Sequence, residues 1–332
     1  MPLLLSLCIP TFNRAALLEE TLSSVLTQIE LARRDQIEIV VSDNASADET
    51  AAVVARFQAA NPNLHWNCFR HVENKGADTN ILQAVTLARG EFVYLVSDDD
   101  VLLPGALEKI FGLMHSFPAL DAFCLNSRSF LTDPAVPSVP EFTVTADCVV
   151  TCRDDCLRFA ETRITFISLL AFRRSGIDLA DYRQYIGTSL LQSYLYVDVL
   201  ASGRGMAVTR EAYLATRDNN TGGYNFFEVF ITQFGALMRH AQKQGYSAQV
   251  VREVRLRHLA RFLLPFVIAF KRHGAYGRLQ PDFRDGLRRS LKEYGLHPVL
   301  VFGVLPLLLL PPGAVRSLSA LVRRLRGAAR SK

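Results

Sequence analysis

Three consecutive aspartates, Asp98, Asp99 and Asp100, come directly after an apolar run of residues. Adjacent carboxylates repel one another, and a divalent cation that also binds a polyphosphate would remove this repulsion. Mg²⁺ and Mn²⁺ prefer oxygen ligands and commonly bind one or two carboxylates together with phosphate oxygens. A metal and diphosphate site is therefore one interpretation of the triplet. A solvated turn whose aspartates cap the next helix is the alternative.

Three further polar segments also follow apolar runs. They have the sequences PTFNR (residues 10–14), SDNAS (42–46) and ENKGAD (73–78). Ligands of parallel α/β sheets bind outside the carboxyl ends of the strands, where these segments and the aspartates are predicted to lie. We therefore expect the four segments to converge on one site.

Alternating strand and helix patterns position these segments over the first 130 residues. Apolar runs predict five strands, at residues 3–9, 37–43, 64–70, 91–97 and 121–130, with amphipathic helices between them. Asn13 and the sequence SADE at residues 46–49 are expected to cap the first two helices. This order implies right-handed βαβ units on a mostly parallel sheet flanked by helices. From residue 147 to residue 250 no regular strand and helix alternation is visible.

Charge is distributed unevenly along the 332 residues. Residues 251–332 contain 17 Lys and Arg against 4 Asp and Glu, a net charge of +13, whereas residues 1–250 carry −8. The same C-terminal part holds two strongly apolar runs, at 262–270 and 299–310, and a tail, 316–332, with basic but no acidic residues. In a helical tail, one face would carry Leu318, Leu321, Val322 and Leu325.

These C-terminal features predict a membrane-associated helical region. Each apolar run is shorter than the ~20 residues of a spanning helix, so we expect this part to lie on an anionic membrane surface. Packing of both runs inside a helical subdomain is the alternative. A nucleic-acid partner is not expected, because the basic residues alternate with aliphatic runs and not with exposed aromatic side chains.

Six cysteines occur without a secretory signal, because Met1 leads almost directly into an apolar strand. We therefore expect reduced thiols and a cytoplasmic location, at the inner face of the membrane. Cys148, Cys152 and Cys156 are spaced to share one helical face, which could make a metal or redox site. Small buried apolar residues are the favoured interpretation.

Three ordered motifs resemble the family 2 glycosyltransferases of the GT-A fold: LSLCIPTFNRAALLEETLSSVLTQ, IEIVVSDNASADET and NKGADTNILQAVTLARGEFVYLVSDDD. Within that family they are similar to the branch that includes abequosyltransferase-like enzymes of O-antigen assembly. The resemblance covers residues 3–130 and says much less about residues 131–332. Together with the C-terminal pattern it implies a GT-A-type, mostly parallel α/β sheet followed by a mainly helical region.

The resemblance also implies roles for individual residues. Asp43 would accept hydrogen bonds from the base of a nucleotide, and Lys75 could meet phosphate. Asp98 and Asp99 would contact the ribose or the sugar, while Asp100, with Asp98, would bind Mg²⁺ or Mn²⁺. The residues implied to bind nucleotide or sugar are Pro10, Thr11, Arg14, Asp43, Asn44, Ser46, Lys75, Gly76, Asp98 and Asp99.

The catalytic base is less clear, because this sequence departs from the family pattern. Many inverting members carry a Glu-Asp pair in the second half whose aspartate removes the acceptor proton, and no such pair follows residue 130. Glu161 is favoured because it precedes the apolar run ITFISLLAF, which should re-enter the core. Asp181 is the second choice. The remaining candidates are Asp154, Asp155 and Asp198, and His240 or His258 could add a metal ligand.

Together these observations predict a metal-dependent glycosyltransferase that moves a sugar from a nucleotide-diphosphate donor to a hydroxyl of a lipid-linked glycan or oligosaccharide. We expect residues 1–130 to bind the donor, residues 131–250 to bind the acceptor, and residues 251–332 to bind the membrane. Two alternatives stay open. A sugar-nucleotide nucleotidyltransferase is disfavoured because no glycine-rich basic loop follows the first strand, and a non-catalytic membrane adaptor is motivated by the missing Glu-Asp pair.

Overall fold

The first half of the chain folds as the alternating pattern predicts. The computed structural model describes residues 2–29, 31–136, 140–175, 177–218, 223–273, 281–298, 300–315 and 317. Its first elements are β1 (Leu5–Thr11), α1 (Ala15–Leu26), β2 (Ile37–Asp43), α2 (Thr50–Ala60), β3 (His65–Arg70), α3 (Ala77–Leu87), β4 (Phe92–Leu95), β5 (Val101–Leu102), α4 (Ala106–Ser116) and β6 (Ala122–Phe130). Every residue of β1, β2 and β4 is buried, as expected of strands covered on both faces.

Four parallel strands align the predicted polar segments. The order β3-β2-β1-β4 forms one side of a nine-stranded sheet. Parallel pairing places Thr11 beside Asp43 and Asp43 beside Arg70, each at the last position of its strand. The carboxyl ends of β1, β2 and β3 therefore form one continuous edge, at which ligands of such sheets bind.

The sheet continues beyond residue 130, where no strand was predicted. The added elements are β7 (Cys148–Val150), α5 (Arg153–Ala160), β8 (Ala171–Arg173), α6 (Leu191–Ala201) and β9 (Met206–Arg217). Strand β8 lies between β4 and β6, antiparallel to both, and β9 runs parallel to β6. Two of the new strands have only three residues, which is too short for a periodic pattern to reveal them.

The described residues divide into two units. Unit 1 comprises Met1–Asp218 with Gln244–Tyr246, and unit 2 comprises Asn219–Lys243 with Ser247–Lys332. Unit 1 holds the whole sheet, so residues 131–218 share one core with residues 1–130. In the described part of unit 2 all regular elements are helices: α7 (Phe234–Lys243), α8 (Ala248–His258), α9 (Leu264–His273), α10 (Phe283–Tyr294) and α11 (Leu305–Leu309). The predicted helical C-terminal region is confirmed.

Both C-terminal apolar runs contribute to the core of unit 2. Leu263, Val267 and Phe270 of the first run and Leu300, Val304 and Leu308 of the second belong to the same buried cluster. Within the described residues, no helix combines the length and the apolar character that crossing a bilayer requires. Val299 and most of the predicted amphipathic tail, 318–332, lie outside the described residues.

Candidate active site

The three aspartates occupy a turn between β4 and β5. Asp98 and Asp100 are buried and Asp99 is half-buried. Thr11 Oγ1 donates to Asp98 Oδ2 at 2.8 Å, and Arg14 donates to Asp98 Oδ1 at 2.7 Å and to Asp99 Oδ2 at 3.1 Å. Residues from the end of β1 thus bind and partly neutralise the aspartate turn, as convergence of the four polar segments predicts.

Asp100 is held by residues far along the chain. Its Oδ2 accepts a hydrogen bond from Ser168 Oγ at 2.6 Å, and its Oδ1 accepts one from the backbone N–H of Arg217 at 3.2 Å. Burial, reinforced by the charge of Asp99, raises the pKa of Asp100 to about 8. Burial also raises the pKa of Asp98, although Arg14 opposes that shift. A cation at this turn would favour the ionised form of both groups.

Asp43 has one satisfied and one unsatisfied carboxylate oxygen. Its Oδ1 accepts a hydrogen bond from the backbone N–H of Ser46 at 2.9 Å. Its Oδ2 is buried without a hydrogen bond in the described structure, although it forms an ion pair with Arg70 Nε at 3.4 Å. A buried acceptor in this state is costly unless a ligand donates to it.

The segment 73–78 joins this edge through its backbone. Lys75 N–H donates to Asn44 Oδ1 at 2.8 Å, and Asn44 Nδ2 donates to Asn74 Oδ1 at the same distance. Gly76 has φ +86, a conformation that glycine adopts without strain. The Lys75 side chain itself is half exposed and forms an ion pair with Glu73.

Asn13 and Ser46 connect the loop after β1 to the loop after β2. They do not cap helices, contrary to our expectation. Asn13 N–H donates to Ser46 Oγ at 2.8 Å, and Asn13 Oδ1 accepts from Ala47 N–H at 2.7 Å. The side chain of Arg14 does not cap α1. Instead, Asp48 accepts from Ala15 N–H at the start of α1 and from Thr50 N–H at the start of α2. Pro10 is buried within β1, opposite Ser42.

The candidate bases lie in different environments. Glu161 is 9% exposed and has φ +47, an unusual backbone conformation for a residue that is not glycine. The run after it re-enters the core as predicted, since Leu170 and Ala171 are fully buried. Asp181 is exposed on a 3-10 turn, Leu179–Tyr185.

The other carboxylates of this region have structural contacts. Asp198 accepts a hydrogen bond from Tyr182 Oη at 2.7 Å, and Asp155 forms an ion pair with Arg158. Asp154 is half-buried in the first turn of α5.

Two residues that bind the site edge, Ser168 and Arg217, were not among the predicted site residues, whereas Asp78 belongs to the predicted segment 73–78. Ser168 and Arg217 bind Asp100, and the buried carboxylate of Asp78 accepts hydrogen bonds from the backbone N–H groups of Gly187 and Ser189, both at 2.8 Å. Ser168 left a signal as a hydroxyl within the apolar run ITFISLLAF, and Arg217 begins the polar, glycine-rich sequence RDNNTGGY.

The histidine and cysteine side chains that the sequence suggested as metal ligands in the second half of the chain make other contacts. His258 Nε2 lies 2.7 Å from the carbonyl oxygen of Phe230, and its ring stacks on Phe234. Cys148 lies in β7 and Cys156 in α5, so these cysteines do not share a helical face. In the part of the chain that the structure describes, no three His, Cys, Asp or Glu side chains are arranged to hold a metal ion on their own.

Comparison with known proteins assigns the part of the chain that carries this site. The family model described as glycosyl transferase family 2 matches residues 6–134. This part of the chain is therefore similar to a family 2 glycosyltransferase domain. That range contains every implied nucleotide, sugar and metal residue from Pro10 to Asp100.

Curated relatives match about a third of the chain. The abequosyltransferase RfbV of Salmonella typhimurium is 40% identical over 105 residues, 32% of this chain and 31% of that protein. A GalNAc(5)-diNAcBac-PP-undecaprenol beta-1,3-glucosyltransferase of Campylobacter jejuni is 36% identical over 106 residues, 32% of this chain and 33% of that protein. These matches span about a third of the length of the relatives.

Solved structures extend the likeness in fold beyond the family 2 domain. Residues 1–349 of S. aureus TarS, in complex with UDP, align with a TM-score of 0.62 and 16% identity over 81% of this chain and 75% of that one. The mannosyltransferase PcManGT of Pyrobaculum calidifontis, in complex with GDP-Man and Mn²⁺, aligns with a TM-score of 0.52 and 19% identity over 96% of this chain and 89% of that one. The predicted GT-A-type fold is confirmed.

Proposed function

We propose that this chain is a metal-dependent glycosyltransferase that moves a sugar from a nucleotide-diphosphate donor to a hydroxyl of a lipid-linked glycan in cell-surface polysaccharide synthesis. One observation carries the proposal. Inside the family 2 domain, a buried aspartate turn lies against Thr11 and Arg14 at the carboxyl edge of a parallel sheet. This edge is where such sheets bind nucleotides.

The unsatisfied oxygen of Asp43 supports a nucleotide donor. A nucleobase N–H that reaches Asp43 Oδ2 would satisfy a buried acceptor that has no hydrogen bond in the described structure. Hydrogen bonds within and between the segments 43–46 and 74–76 hold the residues around this position: Asn44, Ser46, Lys75 and Gly76. Pro10, Thr11 and Arg14 would line the side of the pocket toward the diphosphate.

Asp100 and Asp98 are the residues that would hold Mg²⁺ or Mn²⁺. Their carboxylate oxygens are the kind of ligand these ions take, and two carboxylates suffice when phosphate oxygens and water complete the shell. Burial and the charge of Asp99 raise the pKa of Asp100, and a bound cation would favour its ionised form. The bound ion would supply positive charge to the diphosphate as it leaves. Asp99 stays beside it, held by Arg14 and Ser97.

Glu161 is our proposed catalytic base. In the transfer, a carboxylate takes the proton of the acceptor hydroxyl, the hydroxyl oxygen forms a bond to the anomeric carbon, and the bond from that carbon to the nucleotide diphosphate breaks. Burial and the unusual backbone of Glu161 support this role, since strained positions concentrate at functional sites. The exposure of Asp181 makes it the weaker candidate.

Two observations indicate the acceptor and the location. One relative is named for a sugar transfer to an undecaprenol-linked glycan, and the C-terminal part of this chain is strongly basic. We therefore propose a lipid-linked acceptor and peripheral attachment to the inner, cytoplasmic face of the membrane.

The variant Asp100→Asn tests the metal assignment. Asparagine can keep both contacts, by accepting from Arg217 N–H and donating to Ser168 Oγ, but it lacks the charge that binds the cation. We expect at least about a hundredfold loss of sugar transfer with folding unchanged, measured with a radiolabelled nucleotide sugar and by circular dichroism. Asp35→Asn, at an exposed position, is the control. Normal turnover by the Asp100→Asn variant would refute the metal assignment.

A pair of isosteric variants tests the base. Glu161→Gln should lower kcat by about a hundredfold or more while donor binding, measured by calorimetry, stays unchanged, because only proton removal is lost. Asp181→Asn should retain most of its activity, since that carboxylate is exposed. The reverse result would transfer the role to Asp181.

A further inference from the structure

The helical stretch 300–309 of unit 2 has two apolar faces. The π-helical turn Leu300–Val304 continues directly into α11, and neither contains a charged residue. The buried face carries Leu300, Val304 and Leu308, which pack in the core of unit 2. On the other face, Phe302 is 82% exposed and Leu309 is 68% exposed, with Pro306 exposed between them. A helix that is apolar on all sides is normally covered, so this face needs a partner.

The neighbouring helix α10 contributes positive charge. It packs against this stretch, and its exposed positions at helical spacing are Arg284, Arg288, Leu291 and Lys292. Its acidic residues lie inward in ion pairs: Asp285 binds both Arg288 and Arg289, and Glu293 binds Arg255. Arg284 and Lys292 are therefore the exposed basic residues of α10 for which no ion pair is described. Leu296, directly after α10, is 80% exposed.

We propose that these residues form a membrane-docking face for an anionic lipid bilayer. The apolar members would enter the interfacial region, and the basic members would bind lipid phosphates. The inference specifies the membrane partner of the proposed function, and it does not depend on glycosyl transfer. The face consists of Arg284, Arg288, Lys292, Leu296, Phe302 and Leu309.

Charge is the reason to choose a bilayer over a protein partner. A second copy of the chain would present the same positive face, and like charges across an interface oppose association. Residues 251–332 carry a net charge of +13, and residues 316–332, which follow the face, contain six basic and no acidic residues. An anionic surface is the partner that this charge complements.

Vesicle binding of the full chain tests the proposal. We compare sedimentation with phosphatidylcholine vesicles and with equimolar phosphatidylcholine and phosphatidylglycerol vesicles. The double variant Phe302→Ser/Leu309→Ser should bind the anionic vesicles at least about tenfold more weakly, because two apolar side chains no longer enter the interface. Arg284→Gln/Lys292→Gln should lose on the order of tenfold, and the wild-type affinity should fall with added salt.

Leu131→Ser/Val136→Ser is the matched control. Both residues are exposed apolar side chains of unit 1, 67% and 58% exposed, so their loss should leave vesicle binding unchanged. Nucleotide-sugar binding by the Phe302→Ser/Leu309→Ser variant should equal that of the wild type, which separates failure of the docking face from failure of the donor site. A second variant, Phe302→Trp, should show a blue-shifted emission that brominated lipid quenches.

Three results would overturn the proposal. Equal vesicle binding by wild type and Phe302→Ser/Leu309→Ser would show that this face does not contact lipid. Equal binding to neutral and anionic vesicles would remove the role of charge. A lipid-free dimer in sedimentation velocity that the double variant dissociates would assign the face to a second copy of the chain.

Discussion

Asp98 and Asp100 are neighbours at one sheet edge, yet different parts of the chain hold them. Thr11, the last residue of β1, and Arg14, in the loop that follows, bind Asp98. Ser168 binds Asp100 and also accepts from the N–H of Ser97. A hydroxyl in this place orients the carboxylate and the turn together. Ser168 is therefore a positioning residue for the proposed metal ligand.

Replacing Ser168 with alanine tests this role. The variant loses the donor to Asp100, so we expect about a tenfold to hundredfold loss of activity and a higher Mn²⁺ requirement. It also leaves Ser97 N–H without its acceptor, which should cost about 1–3 kcal/mol of unfolding free energy. Transfer rates across a Mn²⁺ titration and urea unfolding measure the two effects.

Ser193→Ala is the control for that experiment. Its hydroxyl is buried without a hydrogen bond in the described structure, so the deletion should change neither activity nor the Mn²⁺ requirement. A wild-type Mn²⁺ dependence in Ser168→Ala would contradict the positioning role.

At the scale of elements, short strands and tight turns determine which residues contact the site. Strand β8 has three residues and inserts between β4 and β6, and the segment before it delivers Ser168 to Asp100. Helix α3 has a similar function, because Asp78 in its first turn binds the backbone of residues 187–191. Neither contact follows from the periodicity of the elements involved.

Helix α8 gives unit 2 a specific acid sensitivity. Burial lowers the pKa of His258 to about 4, below its ordinary value of 6.5. Between these values the unfolded chain binds a proton that the folded chain does not, so stability is fully present above the ordinary pKa and falls as pH decreases. The loss should total about 3 kcal/mol near pH 4.

The variant His258→Gln isolates this effect. Glutamine can still donate to the carbonyl of Phe230 but has no charge to gain in this pH range. Hydrogen exchange of α8 peptides at neutral and acid pH should show a smaller loss of protection in the variant than in the wild type. Equal losses in both proteins would contradict the assignment.

For the whole molecule, the proposed ligands should act on stability through unit 1. A ligand at about a hundred times its Kd adds about 2.7 kcal/mol to the folded state, which should raise Tm by roughly 5–10 °C in a unit of this size. We expect this shift for one series among UDP, GDP, CDP and dTDP sugars with Mn²⁺, measured by differential scanning fluorimetry. Chelation of the metal should reduce it.

Asp43→Ala should reduce the same shift, because the base loses its charged acceptor. A variant of unit 2, Arg284→Gln, is the control and should keep the full shift. No shift with any of the four series in the presence of Mn²⁺ would contradict the donor site.

The sequence by itself determined the alternating α/β elements, the polar segments at the strand ends and the likeness to family 2 glycosyltransferases. Periodicity, strand order and turn composition are local properties, and so Thr11, Asp43 and Asp98 could be placed on one edge in advance. Helix caps were less predictable: Asn13 and Ser46 are suitable cap residues, but they bind each other's segments.

Only the tertiary structure decided what surrounds Asp100 and what is exposed in unit 2. Ser168 and Arg217 are 68 and 117 residues away from it in the chain, and no local pattern records such contacts. The apolar runs look alike in sequence, yet packing buries Val267 and Val304 and leaves Phe302 exposed. The elements were predictable because they follow from local periodicity. These contacts were not predictable, because burial is set by neighbours that are distant in sequence.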